Sequence, residues 1–131
     1  MATAQDFTFD QGTSIRVNFT VTQLMNDTLP WNAITNPYIP IDLSGSSIAM
    51  MARVTYDSPI ISLNFSTANG KISITNAIGG LFSLILLPVD TEIRFSGESV
   101  ELVYDLEITD IASHITRAFE GTLTISREVT R

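Results

Sequence analysis

The most regular alternation of hydrophobic and polar residues lies between Ser99 and Arg127. The apolar positions in phase are Val100, Leu102, Tyr104, Leu106 and Ile108, and then Ile115, Phe119, Leu123 and Ile125. A period of two is typical of strands with one buried and one wet face. The pattern therefore predicts two long strands joined by a short connection at Asp110–Ser113. We expect this hairpin to be the central template of an all-β domain.

Shorter segments with the same period precede the hairpin. They are Asp6–Asp10, Ser14–Thr22, Ser46–Tyr56, Ile60–Ser66, Lys71–Asn76 and Leu81–Leu87. In Ser46–Tyr56, which a helix would also fit by length, we predict a strand with Ile48, Met50, Ala52 and Val54 inward. In Ile60–Ser66 the inward positions are Ile61, Leu63 and Phe65. The nearly continuous apolar run Leu81–Leu87 indicates burial on both faces or a subunit contact.

Turn signals separate these strands. Asn69-Gly70 predicts a type I′ hairpin that joins Ile60–Ser66 to Lys71–Asn76. Pro88–Ser96 is the one segment that favours a helix, of about two turns, because proline is permitted near a helix start and Gly97 would end it. Glu128–Arg131 reads as a polar tail.

These elements predict a single domain over residues 1–131. The expected fold is an all-β, antiparallel, immunoglobulin-like β-sandwich of about seven or eight strands with one short helix. A small β-barrel is the alternative. Hydrophobic residues make up 44% and charged residues 16% of the chain, a balance typical of a folded domain.

The segment Gln23–Ile41 interrupts the alternation. Its distinctive residues are Pro30, Trp31, Pro37, Tyr38 and Pro40. A loop of this length within a compact domain is unusual and often functional. Two interpretations stay open: Trp31 and Tyr38 pack on the edge of the sandwich as a cover, or the loop is exposed and binds a partner through Trp31, Tyr38, Pro30 and Pro37.

The charge and the residue types limit the chemistry. A net charge of −7 argues against binding to nucleic acid or to an anionic membrane surface. The absence of cysteine and the presence of one histidine exclude disulfides and multi-histidine metal sites within one chain. The N-terminal residues do not resemble a signal peptide. Glycosylation patterns at Asn18, Asn26 and Asn64 are interpreted as coincidence.

Candidate catalytic groups are few. Asp105, Glu107 and Asp110 could serve as paired carboxylates or calcium ligands, but a solvated strand face explains them better. His114 lies beside Ser113, and neighbours on one turn do not form a catalytic triad. We therefore expect no enzyme activity and no cofactor. Trp31 and Tyr38 could stack on sugars, which is weak support for a second hypothesis, that the chain is a carbohydrate-binding module.

Several motifs resemble one family. The most specific are YDLEITD at Tyr104–Asp110, and EGTLTIS at Glu120–Ser126 followed by EVTR at Glu128–Arg131. With Ile41–Gly45 and Ile60–Lys71, they resemble small proteins of tailed bacteriophages, and in particular the immunoglobulin-like N-terminal domain of phage upper baseplate proteins. Gln23–Pro40 departs from that pattern, being longer and richer in proline and aromatic residues.

The resemblance implies a structural protein of the virion without enzymatic activity. Its expected place is the tail, baseplate or fibre attachment, in several copies. The implied partners are other virion proteins and copies of the chain itself, with no nucleic acid and no membrane. We further hypothesise that Gln23–Pro40 makes the main contact with a neighbouring virion protein, because aromatic residues dominate interfaces.

Overall fold

Two β-sheets and a separate two-stranded ribbon make up the fold. The computed structural model describes residues 2–26 and 28–127. The strands in that part of the chain are β1 (Thr3–Ala4), β2 (Phe7–Asp10), β3 (Ile15–Thr20), β4 (Thr22–Leu24), β5 (Tyr38–Pro40), β6 (Ser47–Arg53), β7 (Leu63–Ser66), β8 (Ile72–Asn76), β9 (Leu81–Leu86), β10 (Ser99–Thr109) and β11 (Ile115–Ser126). The predicted antiparallel β-sandwich is confirmed. Very short strands raise the number above the seven or eight expected. Glu128–Arg131 lies outside the described residues.

The predicted long hairpin is the centre of the larger sheet. β10 pairs antiparallel with β11 on one side and with β6 on the other. β7 extends the sheet beyond β6. At the opposite edge, β1 and β2 both lie along β11 and run parallel to it. The hairpin is therefore the template on which the first strands of the chain assemble.

The smaller sheet has the antiparallel order β3, β9, β8. Its central strand β9 buries Phe82, Leu84 and Leu86 against the larger sheet. On the outer face Ser83 is also buried, and its hydroxyl donates to Asn18 Oδ1 at 2.7 Å. Ile85 on that face is 38% exposed. The predicted burial of both faces therefore holds only in part.

Aromatic side chains join the two sheets in the core. Phe19 of the smaller sheet lies 5.7 Å from Phe7 and 5.2 Å from Phe119, both of the larger sheet, measured between ring centroids. Phe19 also stacks on Phe82 at 4.9 Å. Such ring pairs add to the free energy that burial itself provides. Phe7 and Phe9 face the same side, as their spacing predicts.

A β-bulge in β11 overturns one prediction of the alternation. Phe119 and Arg117 pair with successive residues of β10, so Ala118 has no opposite residue. One extra residue reverses the phase of the side chains that precede it. Ile115, predicted to face the core, therefore lies on the outer face and is 66% exposed.

The prediction of a hairpin at Asn69-Gly70 is wrong. β7 belongs to the larger sheet and β8 to the smaller one, so the turn between them crosses from sheet to sheet. Gly70 has a φ of +79°, but Asn69 lacks the positive φ of a type I′ turn. Its side chain instead accepts the amides of Ser66 and Lys71 at 2.9 and 3.1 Å.

The predicted helix at Pro88–Ser96 is also wrong. One turn of 3₁₀ helix forms at Pro88–Thr91, and the residues after it are irregular. The cause is tertiary: Thr91 is fully buried and its hydroxyl accepts the amide of Gly12 at 3.0 Å. That contact holds Thr91 against the turn between β2 and β3, and the 3₁₀ helix ends at Thr91.

Two further inward positions are exposed. β6 ends at Arg53, so Val54 is 58% exposed, and β7 begins only at Leu63, so Ile61 is 39% exposed. The other predicted positions of these strands are buried. The alternation of apolar residues therefore continues past the ends of both strands.

The N-terminal segment is attached to the hairpin at one tight crossing. Tyr104 Oη donates to the carbonyl of Gln5 at 2.6 Å, and the amide of Thr122 donates to Asp6 Oδ1 at 2.9 Å. A methyl group at Gly121 would overlap the Gln5 carbonyl oxygen, so the crossing requires glycine. Burial, helped by two nearby carboxylates, raises the pKa of Tyr104 well above its usual value.

Candidate partner-binding ribbon

The predicted loop Gln23–Ile41 contains an ordered two-stranded ribbon. Its strands β4 and β5 pair antiparallel with each other and with neither main sheet. We call the described residues of this segment, 22–26 and 28–40, the ribbon. An isolated pair of strands is marginally stable in water, so other contacts must hold it in shape.

Asn36 supplies those contacts. It is one of few buried polar residues, with 2% exposure. Its Oδ1 accepts the amide of Asn26 at 2.8 Å. Its Nδ2 lies 2.9 Å from the carbonyl oxygen of Asn26, 3.0 Å from that of Leu29 and 2.9 Å from that of Pro30. The amide group thus fills the inside of the ribbon's end and satisfies four backbone groups.

Two further asparagines shape the turns. Asn32 and Asn36 exchange two backbone hydrogen bonds of 2.9 Å, and Asn32 Oδ1 accepts the amides of Ile34 and Thr35. Asn26 Oδ1 accepts both the amide and the hydroxyl of Thr28. Such side-chain bonds to nearby backbone are the ordinary reason for asparagine in turns. These hydrogen bonds therefore fix the conformation of the turns within the ribbon.

The base of the ribbon is bonded to the smaller sheet. The amide of Val21 donates to the carbonyl of Gly80 at 2.9 Å, and the amide of Ile41 donates to the carbonyl of Val21 at 3.0 Å. A Cβ atom at Gly80 would lie 2.5 Å from the Val21 oxygen, and Gly80 has a φ of +68°. The close approach of these chains depends on glycine at this position.

Several large apolar side chains of the ribbon are exposed to solvent. Trp31 is 56% exposed and Tyr38 is 59% exposed. The other exposed members are Met25, Leu29 and Ile34. More than half of each side chain is accessible, which favours the interpretation of an exposed loop over that of a cover packed on the sandwich. Pro30 is exposed and Pro37 half-buried, and their carbonyls take part in the ribbon's hydrogen bonds.

A groove of about 690 Å³ lies beside the base of the ribbon. One wall is formed by Thr22 and Gln23 of β4, and the other by residues of the β10–β11 turn, including Asp110 and His114. Phe119 is among the apolar residues between them. The volume falls in the range of known ligand sites.

The groove is lined by one arginine, Arg117, and by two carboxylates, Asp42 and Asp110. Arg117 lies 3.4 Å from Asp105 and 3.5 Å from Glu120. His114 Nδ1 lies 3.5 Å from Asp110 Oδ2 and the histidine side chain is 80% exposed. The pKa of the Asp42 carboxyl is lowered by hydrogen bonds from the Ser44 hydroxyl and amide.

Of the candidate catalytic residues, Asp105 and Glu107 line one small pocket with Arg53 and Tyr56, whereas Asp110 and His114 line the groove beside the ribbon. Asp105 forms an ion pair on the outer face of the sheet, which fits the solvated-face interpretation. Ser113 has a φ of +67° in the turn, where Asp110 Oδ1 accepts the amides of Ala112 and His114. Within residues 2–26 and 28–127, no three His, Asp or Glu side chains are close enough to hold a metal ion. In the same residues, no helix has the length and apolarity needed to cross a membrane.

Searches with protein-family models and among curated proteins found no match to this chain. The resemblance to phage baseplate proteins therefore stays a prediction from the motifs.

The residue that sequence reasoning missed is Asn36. The prolines suggested a restricted loop, but the buried amide of Asn36 makes four hydrogen bonds to the backbone of the ribbon. The available signal was the cluster of asparagines at positions 26, 32 and 36, of which one was interpreted only as a chance glycosylation pattern.

Proposed function

We propose that this chain is a structural protein of a bacteriophage virion that acts by protein–protein contact through the ribbon. Its expected place is the tail, baseplate or fibre attachment, in several copies and without catalytic activity. The observation that carries the proposal is the exposure of Trp31 and Tyr38 on a ribbon whose shape is fixed by Asn36. The motifs at Tyr104–Asp110 and Glu120–Ser126 support the phage assignment.

The ribbon has the properties of a preorganised interface. Five of its large apolar side chains are exposed, and exposed apolar surface concentrated in one segment is typical of sites that bind proteins. Trp and Tyr are the residues that most often dominate the binding free energy. Because the ribbon is already ordered, little conformational entropy is lost when a partner binds. Positions 22–40 hold one charged residue, Asp27, so a partner surface that is uncharged at its centre fits best.

The test is complementation of virion assembly with Trp31→Ala and Tyr38→Ala. Both side chains are mostly exposed, so each change should alter the free energy of unfolding by under about 0.5 kcal/mol. Incorporation into particles should fall by about tenfold or more, since an interface anchor is lost. Tyr56→Ala is the matched control, because Tyr56 is 73% exposed but lies outside the ribbon. Normal incorporation of both ribbon variants would refute the proposal.

A glycan array distinguishes the carbohydrate-binding reading. Virion assembly through the ribbon predicts no saturable binding to sugars. Saturable binding that is lost in both Trp31→Ala and Tyr38→Ala, with normal assembly, would favour the sugar-binding module instead.

A further inference from the structure

The ribbon has two edges, and they differ in the backbone groups that they offer. The amide of Met25 donates to the carbonyl of Pro37, and the amide of Ile41 donates to the carbonyl of Val21, both at 3.0 Å. In an antiparallel ladder, hydrogen-bonded pairs alternate with pairs that are not hydrogen-bonded to each other. Residues 23 and 39 therefore bond to each other, whereas the pairs 22–40 and 24–38 direct their backbone groups away from the ribbon.

The outward groups of β4 form a complete pairing edge. Thr22 and Leu24 each present one N–H and one C=O, and within the described residues no hydrogen bond engages them. On β5 the outward positions are Tyr38 and Pro40, and proline has no N–H to offer. The β5 edge thus has a single donor, and β4 is the edge that can accept another strand.

The free edge of β4 also borders the groove. Thr22 and Gln23 line the groove, while none of its described lining residues belongs to β5. An extended chain bonded to β4 would therefore lie along the groove, between the ribbon and the turn that contains Asp110 and His114. Val21 and Phe119 lie at the bottom of the groove but are only 5% and 7% exposed, so its accessible lining is mostly polar, including Thr22, Gln23 and Thr116.

We propose that the β4 edge and the groove form a binding site for an extended polypeptide segment of a partner, which adds a third strand to the ribbon. Backbone hydrogen bonds provide affinity in this mode, and side-chain contacts provide specificity. The inference rests on the proposed function, since it specifies how the ribbon contacts its partner. A third strand would also stabilise the ribbon, because an isolated pair of strands is only marginally stable in water.

The charges at the groove indicate the chemistry of that segment. Arg117 is compensated by Asp105 and Glu120, whereas among the described residues no lysine or arginine forms an ion pair with the groove carboxylates Asp42 and Asp110. The whole chain carries a net charge of −7. A segment with a lysine or arginine beside its extended part is therefore favoured by electrostatic complementarity.

The first part of the test measures amide hydrogen exchange of the free protein by NMR. The amides of Gln23, Met25 and Ile39 should be protected, and those of Thr22 and Leu24 should exchange freely. Protection of Thr22 and Leu24 in the free protein would overturn the inference, because the edge would already be occupied.

The second part uses a synthetic library of random decapeptides as the probe. Peptides selected by the intact protein should protect Thr22 and Leu24 on binding and should be enriched in lysine or arginine. N-methylation at alternate peptide positions should weaken binding by about tenfold, because each removes one ladder hydrogen bond, while the intervening positions should tolerate it. Failure to select any peptide, or equal tolerance at all positions, would overturn the proposal. Equally tight binding by peptides without a cation would overturn the assigned charge.

Two variants of the protein complete the design. Thr22→Pro removes an N–H that the ribbon itself does not use, and edge strands tolerate proline. It should lower peptide affinity by about tenfold, whereas Thr22→Val, which keeps the N–H, should change it less than about threefold. Protection of Met25 and Ile39 in Thr22→Pro verifies that the ribbon is intact.

The assembly test distinguishes this inference from the proposed function. If Trp31→Ala blocks assembly while Thr22→Pro assembles and binds peptides normally, the strand-addition site is refuted and the function stands. If Thr22→Pro loses peptide binding while the Trp31→Ala and Tyr38→Ala variants both assemble normally, the function is refuted and the binding edge stands.

Discussion

Replacement of Asn36 by alanine should loosen the ribbon without unfolding the sandwich. The side chain uses one acceptor and two N–H groups on four backbone groups. At about 0.5–1.5 kcal/mol net for each of three bonds, the ribbon should lose roughly 1.5–4.5 kcal/mol of local stability. Because β4 and β5 pair with neither main sheet, global unfolding should change by under about 0.5 kcal/mol.

Amide exchange and urea unfolding measure these two quantities separately. The amide of Met25, which bonds across the ribbon, should exchange about 10- to 1,000-fold faster in Asn36→Ala, since each 1.4 kcal/mol is a factor of ten. The amide of Leu106 in the central hairpin should keep its rate. The urea midpoint should stay within error of the parent protein.

Asn36→Asp provides a second, pH-dependent measurement. The variant keeps an acceptor for Asn26 but puts a carboxylate beside three carbonyl oxygens. Burial and those oxygens should raise the pKa of the new carboxyl in the closed ribbon, so the ribbon is closed at low pH and loses stability as pH rises. An unchanged Met25 exchange rate in both variants would refute the role of Asn36. A large fall in the urea midpoint would refute the independence of the ribbon.

Three further outcomes follow from the sandwich. Leu106→Ala, at a fully buried site, should cost about 2–5 kcal/mol in urea unfolding, and Glu107→Ala on the outer face under about 0.5 kcal/mol; equal losses would contradict the assigned faces. Gly121→Ala should displace Gln5 and speed exchange of the Gln5 amide. An unchanged exchange rate of that amide would contradict the need for glycine at this crossing. Because burial raises the pKa of Tyr104, the stability that it contributes should be constant below about pH 10 and fall as pH rises further; Tyr104→Phe should abolish that fall in urea titrations.

The architecture was predictable where side-chain period alone decides it. The hairpin at Ser99–Arg127 alternates over many residues, and one buried face specifies both strand and register. The bulge at Ala118 was not predictable, because alanine tolerates either face and gives no signal of an unpaired position. Asn69-Gly70 has the composition of a hairpin turn, but β7 pairs with β6 and β8 pairs with β9. The local sequence of the turn carries no information on these long-range pairings.

The candidate site was located by composition but not explained by it. Trp31 and Tyr38 identified the segment, because aromatic residues among prolines are rare in a loop that only connects strands. Whether they face inward depends on what else fills the space at the edge, and periodicity carries no information on that. Asn36 was missed because a buried asparagine and an exposed one have the same sequence signature, and only its four backbone partners distinguish them.

The pairing of β1 and β2 with β11 has a consequence for the order in which the chain folds during synthesis. Thr3 pairs with Phe119 and Phe7 with Leu123, so the first strands must wait for the last one to leave the ribosome. Until then Phe7 and Phe9 have no strand to lie on, and exposed apolar strands are prone to aggregate. The smaller sheet, complete by Leu86, can form much earlier. Slow translation of the final third of the chain should therefore reduce the soluble yield more than slow translation of the first third.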